Sequence, residues 1–266
     1  MKTLIYDNEC PLCTAYTGAF VKTGLLEKEG RKNFNEVSPA FLQQLDSSRC
    51  HNEIPLIDDE TGKTWYGIDA LLEVLGARMS FFKTVGQYPP VHWLLRKLYS
   101  LISYNRKVIV AVASKGYDCS PAFSSRYRLL FLALGLIFNS WLFGLSIALF
   151  TKSIFPAGSF MQMQTAHYTL VSINIGIAII LGKQRGFDYL GQINMLALIT
   201  MLLLLPLIFL QDHLPLAILS AAIGFIGCFI IKEYIRRMEY AGILKNYRII
   251  AVIHFLCMVA ACVYLN

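Results

Sequence analysis

The chain has 266 residues, of which 56% are hydrophobic and 15% are charged. Soluble domains average roughly 45–50% apolar and about 25% charged residues, so this composition excludes both an ordinary soluble globule and a disordered chain. The formal charge of +7 is spread over both halves of the chain and forms no dense basic stripe, which argues against nucleic acid as a partner. The excess of apolar residues instead predicts that the lipid bilayer is one of the protein's partners.

Charged residues are concentrated at the front. The first 128 residues contain 16 Lys and Arg and 13 Asp and Glu, whereas the last 138 contain 8 and 4. The opening apolar stretch is too short for a secretory signal peptide and ends at Asp7, so we expect the front domain to stay in the cytoplasm. The predicted domains are a front domain at 1–110, a linker at 111–128 and a transmembrane helical domain at 129–266.

The front domain is predicted to alternate strands and helices in the order β-α-β-α-β-β-α. This order is typical of a thioredoxin-like fold. We therefore expect an α/β thioredoxin-like domain followed by an all-α transmembrane domain of about five helices. The predicted front elements are a strand at Lys2–Tyr6, a helix from Cys13 to about Gly24, a strand near Asn33–Val37, a short helix at Pro39–Leu45, a strand after Pro55, a strand at Thr64–Tyr66 and a helix at Ile68–Leu75.

Two cysteines, Cys10 and Cys13, stand three residues apart where the first strand gives way to the first helix. At that spacing they lie on one face and can close a small disulfide. Backbone N–H groups and the helix dipole favour an anion at a helix N-terminus, so Cys10 is the predicted nucleophile and Cys13 the resolving thiol. Pro11 suits the first helical turn, where its missing N–H is no loss.

Two further residues are candidates beside the pair. If Asp7 approaches the cysteines, its carboxylate suits proton transfer to or from Cys13, because a negative charge raises a thiol pKa; capping the turn or the helix is an equally good interpretation. Pro55 is interpreted as the cis-proline that faces the cysteines in thioredoxin-like domains, with a simple strand-start proline as the alternative.

The segment from Tyr6 to Cys13 resembles the Asp-x-x-Cys-x-x-Cys signature of the DCC family of thiol–disulfide oxidoreductases. Two later segments, Gly62–Leu72 and Leu98–Arg106, are similar to further blocks of that family, so the resemblance covers roughly residues 1–110. Asn8 departs from the pattern, since the family commonly has glycine there. The resemblance implies thiol–disulfide exchange with no cofactor beyond the redox-active Cys10–Cys13 disulfide, and it implies no particular substrate.

Five apolar runs in the back half are long enough to cross about 30 Å of hydrocarbon. They lie at 129–150, 166–182, 193–210, 214–231 and 249–265. With the front domain in the cytoplasm, nine Lys and Arg flank the spans on that side and only Lys152 lies on the far side, which agrees with the positive-inside rule. We therefore expect a multi-pass protein with its C-terminus on the far side. The nine are Arg126, Arg128, Lys183, Arg185, Lys232, Arg236, Arg237, Lys245 and Arg248.

The chain contains five further cysteines, and no disulfide framework is expected in a cytoplasmic domain. Cys119 could act as a second redox partner, and Cys228 and Cys257 could form a transmembrane relay, although their predicted depths differ by roughly 9 Å and cysteine is a common apolar filler. Polar residues also lie inside or at the edge of the spans, and hydrogen-bonded packing between helices is the favoured interpretation of them. For His254 the alternative is that it ligates haem or contacts a quinone. These residues are Asn139, Asn174, Asn194 and His254.

We therefore expect a membrane-anchored oxidoreductase that exchanges dithiol and disulfide through Cys10 and Cys13. Its partners would be a protein or small-thiol disulfide substrate and possible membrane redox partners. One alternative is a zinc site in which Cys50 and His51 complete four ligands. Another is a non-catalytic domain that mediates interactions in a membrane assembly.

Overall fold

The structure is a computed structural model of the chain, and it describes residues 1–38, 42–43, 45–112 and 121–265. The chain divides into two compact units, Met1–Tyr127 and Arg128–Asn266.

The first unit is a four-stranded mixed sheet with helices. The strand order is β2-β1-β3-β4; β2 runs parallel to β1, whereas β3 is antiparallel to both β1 and β4. This is the thioredoxin-like arrangement predicted from the sequence. Its elements are β1 (Lys2–Tyr6), α1 (Pro11–Lys22), β2 (Arg31–Asn33), α2 (Ser47–Cys50), β3 (Pro55–Asp58), β4 (Thr64–Tyr66), α3 (Ile68–Gly76), α4 (Ser80–Gln87) and α5 (Pro89–Val110).

The central strand β1 is buried on both faces, which explains its continuous apolar run. Leu4 packs with Leu56 on one face of the sheet, against residues of α3. Ile5 packs with Ile57 on the other face, in a cluster that includes Cys50. β1 lies in the middle of the sheet, with a hydrogen-bonded strand on each side. The loop that follows β1 therefore places the cysteine motif at the end of a firmly held strand.

One predicted strand of this unit differs from the structure, and one predicted helix cannot be compared with it in full. Strand β2 is Arg31–Asn33 rather than Asn33–Val37, because Asn33 Oδ1 accepts hydrogen bonds from the N–H groups of Asn35 and Glu36 and turns the chain. The helix predicted at Pro39–Leu45 lies partly outside the described residues. A short helix, α2, follows that segment and is capped by Asp46.

The remaining described chain contains five helices that are long and apolar enough to cross a membrane, as predicted. Each differs from its predicted span by running into the flanking polar segments, because Lys, Arg, Gln and Glu are good helix formers and hydropathy detects only the apolar part of a helix. The helices are α6 (Ser125–Ser153), α7 (Phe160–Leu181), α8 (Lys183–Leu210), α9 (Leu216–Tyr240) and α11 (Arg248–Leu265), with a short α10 (Ile243–Asn246) between the last two.

Connections in the second unit are short. Gly182 alone separates α7 from α8, with φ near +79°, a conformation that glycine adopts without strain. At the other end, Lys152 Nζ donates to the carbonyl of Gln211 at 2.6 Å and pairs with Asp212 at 3.2 Å. These contacts bring the end of α6 and the α8–α9 connection to the same end of the unit.

Polar side chains inside the unit form interhelical hydrogen bonds. Asn139 Nδ2 donates to Asn194 Oδ1 at 2.9 Å, the Tyr189 hydroxyl donates to Asn174, and the His254 ring bonds to the Tyr234 hydroxyl at 3.1 Å. The packing interpretation of Asn139, Asn174, Asn194 and His254 therefore agrees with the structure.

Candidate functional site

The dithiol pair, Cys10 and Cys13, lies at the N-terminus of α1, directly after the turn that leaves β1. Cys10 is the N-cap residue, and its Sγ accepts a hydrogen bond from the backbone N–H of Cys13 at 3.5 Å. Pro11 occupies the first helical position, as predicted. Both cysteines are buried free thiols in this structure.

The surroundings shift the two thiol pKa values in opposite directions. Hydrogen bonding from the Cys13 side chain lowers the pKa of Cys10 to about 6, helped by the Cys13 backbone N–H and by Arg106, against burial and the charge of Asp7. The shared hydrogen bond with Cys10 raises the pKa of Cys13 well above its ordinary value, and burial adds to this shift. Cys10 is therefore the thiolate at neutral pH, and Cys13 keeps its proton.

Arg106 is the cationic neighbour of the pair. It belongs to α5, is only 8% exposed, and its Nη2 donates to the backbone carbonyl of His51 at 3.1 Å. It lines a small cleft with Asp7 and Cys10, and a second small cavity with Asp7 and Cys13. The sequence did not identify Arg106 as a site residue. The signal that could have indicated it is its position at the end of Leu98–Arg106, a segment that is similar to the DCC family.

Asp7 lies beside both cysteines and also stabilises the turn that precedes α1. Its Oδ1 accepts a hydrogen bond from the N–H of Glu9 at 3.0 Å, and its carbonyl accepts one from the N–H of Cys10 at 3.3 Å. The carboxylate contributes to the raised pKa of Cys13. Asp7 therefore caps the turn, and its carboxylate lines the same small cavity as the Cys13 thiol.

Two tyrosines that the sequence did not indicate complete the surroundings of Cys13. Burial, together with a hydrogen bond to Cys13, raises the pKa of Tyr16. Burial also raises the pKa of Tyr99, whose hydroxyl accepts a hydrogen bond from the N–H of Ile54 at 3.0 Å. The raised pKa values keep both tyrosines uncharged at neutral pH, so neither places a negative charge beside the thiolate. Arg106 supplies a positive charge that favours the Cys10 thiolate.

Pro55 opens β3, and the cis interpretation of it is wrong. The described peptide bonds include no cis bond, so Ile54–Pro55 is trans. Pro55 pairs with Tyr66 of β4 as the first residue of its strand, a position where a missing N–H is tolerated. The alternative interpretation, a strand-start proline, describes it correctly.

Hydrogen bonds of Thr17, one helical turn after Cys13, stabilise the start of α1. The Thr17 hydroxyl donates to the carbonyl of Cys13 at 2.7 Å and accepts from Arg31 Nε at 3.0 Å. The Arg31 guanidinium in turn stacks over the Tyr6 ring, 4.0 Å from its centroid. A chain of contacts therefore connects β1, β2 and α1 immediately below Cys13.

The zinc alternative does not agree with the structure. Cys50 is buried in the sheet core with Ile5 and Phe34, and burial raises the pKa of its thiol to about 11. Within the described ranges, no group of three or more His, Cys, Asp or Glu side chains is arranged to hold a metal ion. Cys50 and His51 therefore do not complete a four-ligand site with the dithiol pair.

The other candidate cysteines belong to the second unit or lie outside the described residues. Cys119 lies outside the described residues. Cys228 and Cys262 are exposed on their helices, and Cys257 is half-buried, all three as free thiols. A redox role for Cys119, Cys228 or Cys257 stays a prediction.

A thioredoxin-like domain with two unequal thiols at a helix N-terminus has the features of a thiol–disulfide oxidoreductase. Residues 4–111 match the sequence model of the DCC1-like thiol-disulfide oxidoreductase family, which confirms the family resemblance. The matched range includes Asp7, Cys10, Cys13 and Arg106, and it ends before the first long apolar helix. No curated protein and no solved structure matches the chain.

Proposed function

We propose that the protein is a membrane-anchored thiol–disulfide oxidoreductase in which Cys10 attacks and Cys13 resolves. The observation that carries this proposal is the inequality of the two thiols. The Cys10 thiolate attacks one sulfur of a substrate disulfide, the other sulfur leaves as a thiolate, and a mixed disulfide forms. Cys13 then loses its proton and attacks Cys10 Sγ, which releases the second substrate thiolate. The substrate gains two electrons, and the protein is left with a Cys10–Cys13 disulfide.

Asp7 is the proposed proton acceptor for Cys13 in the second step. A thiol whose pKa is raised needs a base before it can attack, and the Asp7 carboxylate lines the same small cavity as Cys13. Once Cys10 is bonded to the substrate, its negative charge is gone and the pKa of Cys13 falls, which makes this transfer easier. Asp7 would return the proton when the pair is reduced again.

We place the dithiol domain in the cytoplasm and the connection between α8 and α9 on the far side. The excess of Lys and Arg at one set of helix ends supports this orientation. Cytosolic redox poise keeps most dithiols reduced, so we propose reduction of a protein or small-thiol disulfide as the direction of exchange. The pair itself supplies the redox chemistry, and a membrane redox partner or cytosolic dithiol would regenerate it.

The experiment that tests the function is a redox titration of the full chain in defined thiol–disulfide buffers. The mass of the alkylated peptide that contains Cys10 and Cys13 reports the oxidised fraction. We expect one reversible two-electron transition between about −120 and −270 mV, the range of known oxidoreductases. Cys10→Ser should abolish it, whereas the control Cys262→Ser, which removes an exposed thiol of the second unit, should leave it unchanged. Failure of the wild-type pair to form a disulfide in any buffer would refute the proposal.

The orientation is tested by labelling intact cells with a membrane-impermeant maleimide. Asp212→Cys, in the α8–α9 connection, should be labelled from outside. Lys245→Cys, in α10, should be labelled only after permeabilisation. The reverse pattern, read on the peptides that contain the new cysteines, would show that the orientation is inverted.

A further inference from the structure

The first unit exposes large apolar side chains on two consecutive helices, α4 and α5. Within the described part of residues 1–78, the only exposed large apolar side chain is Met1. On α4 and α5, by contrast, Phe81 is 70% exposed and Trp93 is 62% exposed. A patch of this kind on a soluble domain marks an interaction surface. The apolar face, as we call it, consists of Phe81, Phe82 and Val85 of α4 and Trp93, Leu94 and Leu98 of α5.

Both helices are anchored to the first unit by their opposite sides. A Cβ at Gly86 of α4 would overlap the Leu72 side chain, so this side of α4 packs closely on α3. On α5, the Tyr99 hydroxyl accepts a hydrogen bond from the N–H of Ile54 at 3.0 Å. The apolar face is therefore the outward side of two helices that are already packed.

The charge around the apolar face has one sign. Residues 1–73 contain twelve Asp and Glu, whereas residues 74–117 contain none and have seven Lys and Arg. Lys97 is exposed and follows Trp93 by four residues and Leu94 by three, so it lies on their side of α5. The apolar face thus lies in a cationic surface, which complements an anionic partner.

These properties together favour a lipid bilayer over a protein as the partner. Exposed aromatic rings with Lys and Arg beside them are typical of segments that lie in the head-group region, where anionic lipids attract cations. Protein interfaces are instead depleted in Lys. The five long apolar helices bring a bilayer to this chain, and only the fourteen residues 111–124 separate α5 from α6.

We propose that the apolar face docks on the surface of an anionic bilayer. The Phe81 and Trp93 rings enter the boundary between head groups and acyl chains, and Lys97 lies beside the lipid phosphates. Burial of the apolar side chains and attraction between unlike charges both stabilise this docking. The docking does not depend on the chemistry of Cys10 and Cys13, so it can fail while the proposed exchange reaction stands.

The test is tryptophan quenching of the full chain in nanodiscs that contain phosphatidylglycerol. The double variant Trp65→Phe, Trp141→Phe leaves Trp93 as the single tryptophan. Phospholipids brominated near the top of the acyl chain should quench Trp93 strongly, and aqueous acrylamide should quench it weakly. Quenching by acrylamide without quenching by bromolipid would overturn the proposal. Shielding from both quenchers would also overturn it, because protein would then cover the apolar face.

The matched control moves the tryptophan to the acidic turn between β3 and β4, which an anionic surface repels. Thr61→Trp, with phenylalanine in place of all three native tryptophans, should be quenched by acrylamide and not by bromolipid. Equal bromolipid quenching at this position and at Trp93 would overturn the proposal.

The contribution of charge is tested in the protein that retains Trp93 alone. Lys97→Glu should lower the ratio of docked to undocked protein about fivefold or more, the factor that one cation contributes near an anionic surface. Lys28→Glu makes the same change of charge at an exposed position outside the apolar face and should leave the ratio unchanged. Equal effects of the two substitutions, or equal quenching of Trp93 in zwitterionic nanodiscs, would overturn the proposal.

A second measurement needs no substitution and applies if the double variant does not fold. A phospholipid with a diazirine near its head group is activated by light in nanodiscs that contain the unsubstituted chain. Within the first unit, the cross-links should fall on peptides of α4 and α5. Their absence from both helices would overturn the proposal.

Discussion

The guanidinium of Arg106 donates a hydrogen bond of 3.1 Å to the backbone carbonyl of His51. This bond ties α5 to the residue that follows α2, and it holds a buried positive charge in the two small cavities beside the dithiol pair. A flexible surface cation would be screened by water, whereas a fixed and buried one acts on Cys10 at short range.

Arg106→Gln should raise the pKa of Cys10, by about one unit or less, because the favourable charge is lost while the Cys13 hydrogen bonds remain. The measurement is the pH dependence of Cys10 alkylation, read on its peptide. Arg106→Lys should restore most of the shift. Arg96→Gln, at an exposed position of the same helix, is the control and should have no effect. An unchanged midpoint in Arg106→Gln would show that the charge does not reach the thiol.

Alkylation of wild-type Cys10 should rise with a midpoint near pH 6, since its pKa is lowered to about 6. Cys13 should stay unmodified at neutral pH, because its pKa is raised. The folded pKa of Cys10 lies below the unfolded value of about 8.5, so the reduced domain gains stability from Cys10 as pH rises through 6 and loses it as pH falls. Cys10→Ser should remove this pH dependence. A midpoint near 8.5 would contradict the assignment of Cys10 as the nucleophile.

Asp7→Asn should change the two steps of exchange in opposite directions. The amide oxygen of Asn can still accept a hydrogen bond from the N–H of Glu9, so the turn is retained. Loss of the negative charge should speed attack by Cys10, because Asp7 raises the pKa of that thiol. Loss of the base should slow resolution by Cys13, by about ten- to a hundredfold, so that the mixed disulfide accumulates. Rapid-quench mass analysis of the mixed disulfide measures both rates, and equal changes in both would exclude a role for Asp7 in proton transfer.

Cys50→Ala should lower the free energy of unfolding by about 1 kcal/mol through loss of buried volume in the sheet core. It should leave alkylation and disulfide exchange at Cys10 unchanged. Pulse proteolysis of the full chain across a urea series measures the stability of the first unit. A large loss of exchange in this variant would instead identify Cys50 as a third redox thiol.

Gly135→Val should destabilise the packing of α6 on α8. A Cβ at Gly135 would lie 2.0 Å from Asn194 Nδ2, whose amide is held by Asn139. We expect a cost of about 1–3 kcal/mol from overpacking. Gly144→Val is the matched control in the same helix, because the nearest atom there is 3.8 Å away. Thermal unfolding in detergent compares the two variants. Equal melting temperatures would contradict the close packing of Gly135 against Asn194.

Local patterns in the sequence were sufficient to predict the architecture and the position of the dithiol. The Cys10–Cys13 spacing, the proline between them and the apolar strand before them are properties of adjacent residues. The five membrane helices follow from apolar length alone, although the sequence could not show that charged segments such as Lys183–Gln192 continue the helix, because charge and helicity are independent.

The surroundings of the site could not be predicted in the same way. Arg106 and Tyr99 lie about ninety residues after the cysteines and reach them only because α5 packs back against α1 within the first unit. The state of the bond before Pro55 also depends on tertiary context, since both isomers are accessible to an X–Pro bond. Contacts over such long sequence separations have no local signal in a single sequence.

Because Cys10 Sγ is itself the cap of α1, the helix N-terminus changes when the pair is oxidised. In the reduced protein the Cys10 thiolate accepts a hydrogen bond from the N–H of Cys13. In the oxidised protein Cys10 Sγ is an uncharged disulfide sulfur, which is a weaker acceptor. The amide hydrogen of Cys13 should therefore exchange with solvent deuterium faster in the oxidised protein than in the reduced one. A single backbone position thus reports the redox state of the pair without any chemical label on the thiols.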